Sequence, residues 1–271
     1  MSQTLRKIVL LVMGFVWILP IYLMIANATK SADQYGVLSV WSMGGFDGLA
    51  ANFSEAWDRG RISDGVLSTA IYAVVSPLIA VIIGAMAGYA MIALRIRHAF
   101  FWFVLIFSST VFPLQMVLMP LFIGYVDADI YDTRLGLILI YTVISVPFSA
   151  FVMRNFFSGI SYSLFEAATL DGACTWTTFW RIYLPMSTSA LFAVFILQAT
   201  FVWNDLLLGL TLSQSETVRP VMPALAALQS TYGGSTMPVV LAGGLIVSLP
   251  TVALFLATQR FFAKGLALGQ F

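Results

Sequence analysis

Charge is scarce in this chain. Asp, Glu, Lys and Arg make up only 9% of its 271 residues, too few to solvate the surface of a water-soluble domain of that length. The single cysteine, Cys174, excludes an internal disulfide. The single histidine, His98, has no second ligand type close by and so gives no metal-site spacing; it reads as a solvated loop residue. No G-x-x-x-x-G-K-[ST] loop occurs, so the chain lacks the usual cradle for ATP phosphates. H-E-x-x-H, paired cysteines and G-x-S-x-G are also absent, which leaves an enzyme reading without a nucleophile or a metal. A net charge of +1 gives no case for nucleic acid as a partner. What fills the sequence instead is apolar: 60% of residues are hydrophobic and the mean hydropathy is +0.94, the composition of an integral membrane protein.

The apolar runs predict an all-α membrane domain over 1–271, with six transmembrane helices at about 8–26, 66–94, 99–123, 135–153, 186–212 and 238–258. The first is read as a retained anchor. Ala26-Asn27-Ala28 fits a small-x-small cleavage site, but the run from 8 to 26 exceeds the ~7–15 residues of a signal peptide's apolar region. The connection from Lys30 to Asp64 is the longest, and its FSEAWDRGRI reads as an amphipathic helix outside the membrane. Two glycosylation sequons, at Asn27 and Asn52, are short enough to arise by chance and receive no role. The second span is long enough to tilt or to break at Pro77, and its Gly84 and Gly88 form a G-x-x-x-G that admits close helix approach. In the third, Pro113 and Pro120 flank Gln115. Proline removes a helix hydrogen bond, so a kink or non-helical step is expected there; Phe112–Met116 is either a pore segment or an ordinary packing kink. Asp127, Asp129, Asp132 and Arg134 lack the glycine and terminal glutamate of an EF-hand and read as a solvated turn. An outer loop covers 213–237, and the closing QRFFAKGLALGQF reads as a short amphipathic tail carrying Arg260 and Lys264.

Between the fourth and fifth spans lies a polar and amphipathic stretch, in the loop 154–185. Ser163 with Glu166 three residues later predicts a capping box and a helix starting near Leu164. Gly172 supplies the left-handed residue that ends it. A second helix follows, with Trp176, Phe179, Trp180 and Tyr183 spaced to share one membrane-interface face, and Pro185 then opens the next helix. Cys174 in this loop reads as a small buried or neutral thiol.

This stretch resembles the cytoplasmic EAA loop of binding-protein-dependent ABC importer permeases: EAA, three residues, Gly, nine residues, I-x-L-P. Glu166, Ala167, Ala168, Gly172, Ile182, Leu184 and Pro185 match it, and Asp171 and Phe179 are similar to the carbohydrate-uptake branch of maltose-permease type. The first-span exit ILPIYLMIANATK and the C-terminal tail resemble the same branch; Ser187–Leu191 departs from it, lacking the proline often found before Ala-Leu. The resemblance implies that Glu166, Ala167, Ala168, Asp171 and Gly172 couple the chain to a separate ATPase subunit dimer, which binds the ATP, so the chain needs no cofactor of its own. It also implies a second, similar permease subunit, a soluble solute-binding protein outside, and a sugar, oligosaccharide or polyol derivative as substrate. Trp203-Asn204-Asp205 resembles the W-N-[DE] of carbohydrate permeases, which would place these residues along the translocation route; Gln115, in the proline-flanked segment, is the other candidate for it. An ionised Asp at mid-bilayer costs roughly 2.5–3.5 kcal/mol, so Asp205 should face a cavity or partner, or else sit at the interface among belt aromatics. The other class weighed is an ion-coupled secondary transporter; no internal repeat supports it, and Asp205 is its lone candidate charge.

Six spans put both termini on one side. That side holds Arg6, Lys7, Arg95, Arg97, Arg154, Arg181, Arg260 and Lys264 against Glu166 and Asp171. The other holds Lys30, Arg59, Arg61, Arg134 and Arg219 against nine acids. The bias of basic residues predicts cytoplasmic termini, with membrane lipid around the spans and the 154–185 loop inside; that the membrane is a prokaryotic inner membrane is what the resemblance implies.

Overall fold

The computed structural model describes residues 3–229 and 234–268, the last nine of these by backbone alone. The expected tail therefore falls, from the side chain of Arg260 onward, outside the residues described in full. Every regular element among them is helical. In chain order they are α1 (Gln3–Ala28), α2 (Ala32–Tyr35), α3 (Phe46–Arg59), α4 (Ile62–Ile92), α5 (Ala99–Ser108), α6 (Leu114–Asp127) and α7 (Arg134–Ser158). There follow α8 (Tyr162–Leu170), α9 (Thr175–Thr178), a π turn (Phe179–Tyr183), α10 (Leu184–Met186), α11 (Thr188–Trp203), α12 (Leu207–Leu212), α13 (Val221–Leu228) and α14 (Met237–Leu268).

Among the described residues, α1, α4, α7 and α14 are long and apolar enough to cross a membrane alone. A fifth candidate is bent: Thr175–Met186 and Thr188–Trp203 meet at 75°. Ser187 sits at that bend, and Thr188 starts a new helix after it. The expected third span is two helices. Phe112 precedes Pro113 and is steered out of the helical region, while Ser108, Ser109 and Thr110 each donate a hydroxyl to the carbonyl three residues back and satisfy the frayed end of α5. The non-helical step falls where proline chemistry demanded one. Pro77, by contrast, is carried inside an unbroken α4.

Two compact units divide the chain: Met1–Val66 with Val221–Pro250, and Leu67–Pro220 with Thr251–Phe271. In the first, the segment after α1 is knotted by polar side chains. The Lys30 ammonium, fully buried, donates to Asn27 Oδ1 and the Ser39 carbonyl at 2.8 Å each. Asn52 Nδ2 donates to the Ala28 and Lys30 carbonyls, both at 2.8 Å. Both sequon asparagines are thus buried structural groups, unavailable to a glycan. Gly243 lets α14 approach Leu225 of α13 and Ala56 of α3.

The second unit is built on the contact of α4 with α7. A Cβ added at Gly84 would lie 2.5 Å from Ser149 Cβ, and one at Gly88 would lie 2.7 Å from the Arg154 backbone nitrogen. The G-x-x-x-G therefore serves packing inside this subunit. At the far end of α7 the acidic turn is not simply solvated. The Asp132 carboxylate accepts from the backbone N–H of Gln214 at 2.8 Å and of Ser215 at 3.0 Å, and Arg134 Nη2 donates to the Thr217 carbonyl at 3.1 Å. That turn pins the loop that follows α12.

Candidate functional site

Two places in the second unit bring the chemistry together: an exposed elbow and an apolar cavity. The elbow is α8 with the turn behind it. Its helix begins at Tyr162 with Ser161 in the capping position, and the Ser163 hydroxyl meets the Ser161 hydroxyl at 2.7 Å; the expected capping box does not form. Glu166 is thereby left exposed with Ala167, while Ala168 is buried beneath them. Gly172 has φ +80°, the left-handed value expected of it, with nothing within 4 Å of where a Cβ would be. Leu170, 88% exposed, stands beside Asp171 at the tip. An acid, one alanine and a bare leucine are thus the groups that this short helix leaves at the surface.

The return strand of the elbow does not carry its aromatics on one face. Phe179 and Tyr183 are buried, whereas Trp176 and Trp180 are 57% and 47% exposed. The cause is the π turn, in which the Leu184 N–H reaches back to the Phe179 carbonyl. Pro185 has no N–H for the carbonyl four residues earlier and its ring would collide with that carbonyl, so the widened turn relieves the clash. Phe179 and Tyr183 enter a cluster with Ala85 and Tyr89 of α4 and Met153 and Phe157 of α7. Tyr89 is its hub: its ring centroid lies 5.2 Å from that of Phe179 and 4.9 Å from that of Tyr183, and its hydroxyl donates to the Thr175 carbonyl at 3.2 Å. Arg95 stacks over Tyr162 at 3.5 Å and fastens the front of the elbow as well. Phe165 of α8 lies 6.4 Å from Tyr89, so packed rings join α8 to α4 and α7.

Cys174 lies at the start of α9 and is exposed, not buried. Its sulfur is 3.2 Å from Thr177 Oγ1, and hydrogen bonding from the Thr177 side chain and backbone lowers the thiol below its ordinary range.

The cavity, about 820 Å³, lies at the break between α5 and α6 and is lined there by Ser108, Ser109, Thr110 and Phe112, with Phe148 of α7 and Gln198 of α11 facing it. A second hollow of about 560 Å³ shares Leu197 and Phe201 with it and reaches Asn204 and Asp205. Of the residues that sequence reasoning placed on a route, Asn204 and Asp205 are brought to this hollow. Trp203 is buried, and Gln115 is exposed in the first turn of α6 outside the lining of either cavity. Gln198 was missed. Its signal was visible as the lone amide in the apolar run from Ala190 to Thr200. The expected continuous span 186–212 is interrupted at Asn204–Leu206, between α11 and α12.

The family model described as "Binding-protein-dependent transport system inner membrane component" matches residues 80–266, a range that holds both the elbow and the cavity. The chain belongs to that family. This permease is 32% identical over 254 residues to the probable ABC transporter permease protein YurM of Bacillus subtilis, covering 92% of this chain and 82% of that one. It is 29% identical over 271 residues to the melibiose/raffinose/stachyose import permease protein MelC of the same organism, covering 99% and 97%. Its fold matches a chain in the crystal structure of a bacterial ABC transporter involved in the import of the acidic polysaccharide alginate, with a TM-score of 0.77 at 20% identity over 97% of this chain and 99% of that one. The permease is accordingly a multi-pass inner-membrane transport component of an ABC importer, not an enzyme, and membership implies ATPase and binding-protein partners. The ion-coupled alternative is set aside.

Proposed function

We propose that the permease carries a sugar, oligosaccharide or polyol derivative inward, with Glu166, Ala167, Asp171 and Gly172 as the contact for an ATPase dimer that binds the ATP, and Ala168 packed beneath them as part of the same coupling element. The observation that carries this reading is the elbow itself: exposed at Glu166, Leu170 and Gly172, and seated on the Tyr89 cluster that joins it to α4 and α7. Closure of the ATPases would shift the elbow as a unit, and the rigid spans would convert that shift into alternating access. A second permease subunit completes the pathway and a solute-binding protein delivers substrate outside. The elbow and both termini face the cytoplasm, as the basic residues favour.

The route follows the cavities. Gln198 and Asn204 offer amides beside Phe148 and Phe201, the pairing of hydrogen-bonding groups with aromatic platforms that suits sugar hydroxyls and C–H faces. Asp205 belongs to this lining, Trp203 supports it from within, and Gln115 lies on the exposed face of α6 beside the break. The carbohydrate assignment is supported by relatives such as MelC and the Streptomyces coelicolor diacetylchitobiose uptake system permease protein NgcG, 26% identical over 226 residues.

A pull-down of the tagged permease from native membranes tests the assembly. An ATPase and a second permease are expected with the wild type, and Glu166→Lys is expected to lose the ATPase while inserting normally. Recovery of the permease alone, in a detergent that preserves such complexes, would overturn the proposal.

A further inference from the structure

The acid of Trp203-Asn204-Asp205 has an arrangement unlike that of a ligand group. Asp205 is only 9% exposed, and its Oδ2 accepts the Tyr141 hydroxyl at 2.9 Å and the Gly209 N–H at 3.1 Å. The backbone N–H groups of Leu207 and Leu208 also bond to it. The carboxylate thus gathers the free N–H groups of the first turn of α12 and ties them to α7. Tyr141 is itself fully buried, with its ring 6.0 Å from that of Tyr72, whose hydroxyl donates to the Val218 carbonyl at 2.8 Å. The other end of α12 is held from the same direction, since the Asp132 N–H donates to the Leu212 carbonyl at 3.1 Å and its carboxylate takes the two N–H groups beyond. A six-residue helix is suspended between two aspartates. The neighbouring Asn204 differs: it is exposed, and its Nδ2 donates to the Thr200 carbonyl at 2.8 Å, so the amide is fixed with its oxygen left as an acceptor in the hollow.

We infer that Asp205 acts on transport as a positioning residue: with Tyr141 it holds the α11–α12 break so that Asn204 presents its amide to the translocation route. The inference rests on the route proposed above. The two fail separately under one test, reactivity of Asn204→Cys with a water-soluble methanethiosulfonate in native membranes, in a Cys174→Ser background. Labelling is expected, and adding Tyr141→Phe, which removes one hydroxyl and no volume, should change its rate about fivefold. Asp205→Ala should change it further, and Asp205→Asn, which keeps one acceptor oxygen, less. A cysteine inert in every background overturns the route and the inference with it. A reactive cysteine whose rate ignores Tyr141→Phe and Asp205→Ala, even if both variants melt earlier, leaves the route standing and reduces Asp205 to a structural clamp.

Discussion

At the scale of single residues, Gly172 and Cys174 make opposite demands on the elbow. Gly172 has open space around it, so a side chain there meets no neighbour and the whole penalty is the left-handed backbone, about 1–2 kcal/mol for an ordinary residue. Gly172→Asn should therefore keep most of the uptake that Gly172→Val loses, because Asn tolerates that region and a β-branched residue does not. Equal uptake by the two variants, measured in cells, would show that the turn is not what glycine is there for. Cys174 is exposed beside Thr177, and its lowered pKa means a larger thiolate fraction at any pH below the ordinary thiol range. Alkylation by iodoacetamide should thus proceed faster than for an unperturbed thiol near neutral pH. Thr177→Val, which removes the hydroxyl, should shift the reactivity profile toward higher pH.

At the scale of elements, α4 packs on α7 beneath the elbow, and that contact depends on two absent side chains. Gly88→Ala would force a methyl to 2.7 Å from the Arg154 backbone, a collision with main chain that cannot turn aside. A loss of about 1–3 kcal/mol is expected, read as a lower melting temperature of the purified permease; an unchanged value would mean the helices part at little cost. Close approach of some helix at Gly84 and Gly88 was legible beforehand, because glycine spacing is a local pattern; that the helix is α7 of this same subunit was not. Also legible were the left-handed turn at Gly172 and the break at Pro113, each fixed by the backbone chemistry of one residue. The aromatic face of the elbow was not. Trp176, Phe179, Trp180 and Tyr183 keep helical spacing on paper, but the proline at 185 lies outside that window and changes the turn within it. The capping box failed for a similar reason, since Ser161 began the helix two residues early and left the Ser163 hydroxyl bonded elsewhere. Long-range partners such as Tyr141 for Asp205, 64 positions apart, leave no local trace at all.

At the scale of the whole molecule, the permease is apolar where lipid or other subunits would lie and sparing with polar groups elsewhere. Nearly all of α1 from Leu5 to Ile25 is exposed, with Leu11 at 74% and Trp17 at 75%. A subunit with this much bare apolar helix is built for a membrane and an assembly, and the candidate site shares that incompleteness. The elbow leaves Glu166 and Leu170 exposed, and the cavity opens beside helices whose outer faces remain uncovered. Sequence made the elbow easy to find because its motif is contiguous. The cavity lining is scattered over α5, α6, α7 and α11, and only folding collects it.

The π turn at Phe179–Tyr183 also sets a phase. An α-helix advances about 100° per residue, and this turn holds one residue more than a regular helix needs between Gly172 and the bend at Ser187. Were the turn to close to ordinary pitch with no residue removed, all that follows would swing through roughly that angle, whereas deleting one residue as it closed would keep the phase. In the first case Gln198 would turn away from the cavity although nothing in α11 itself had changed. The turn thus works like the slack in a gear: it takes up the extra residue between the glycine and Ile182-x-Leu184-Pro185 and so keeps the side of α11 that bears Gln198 toward the cavity.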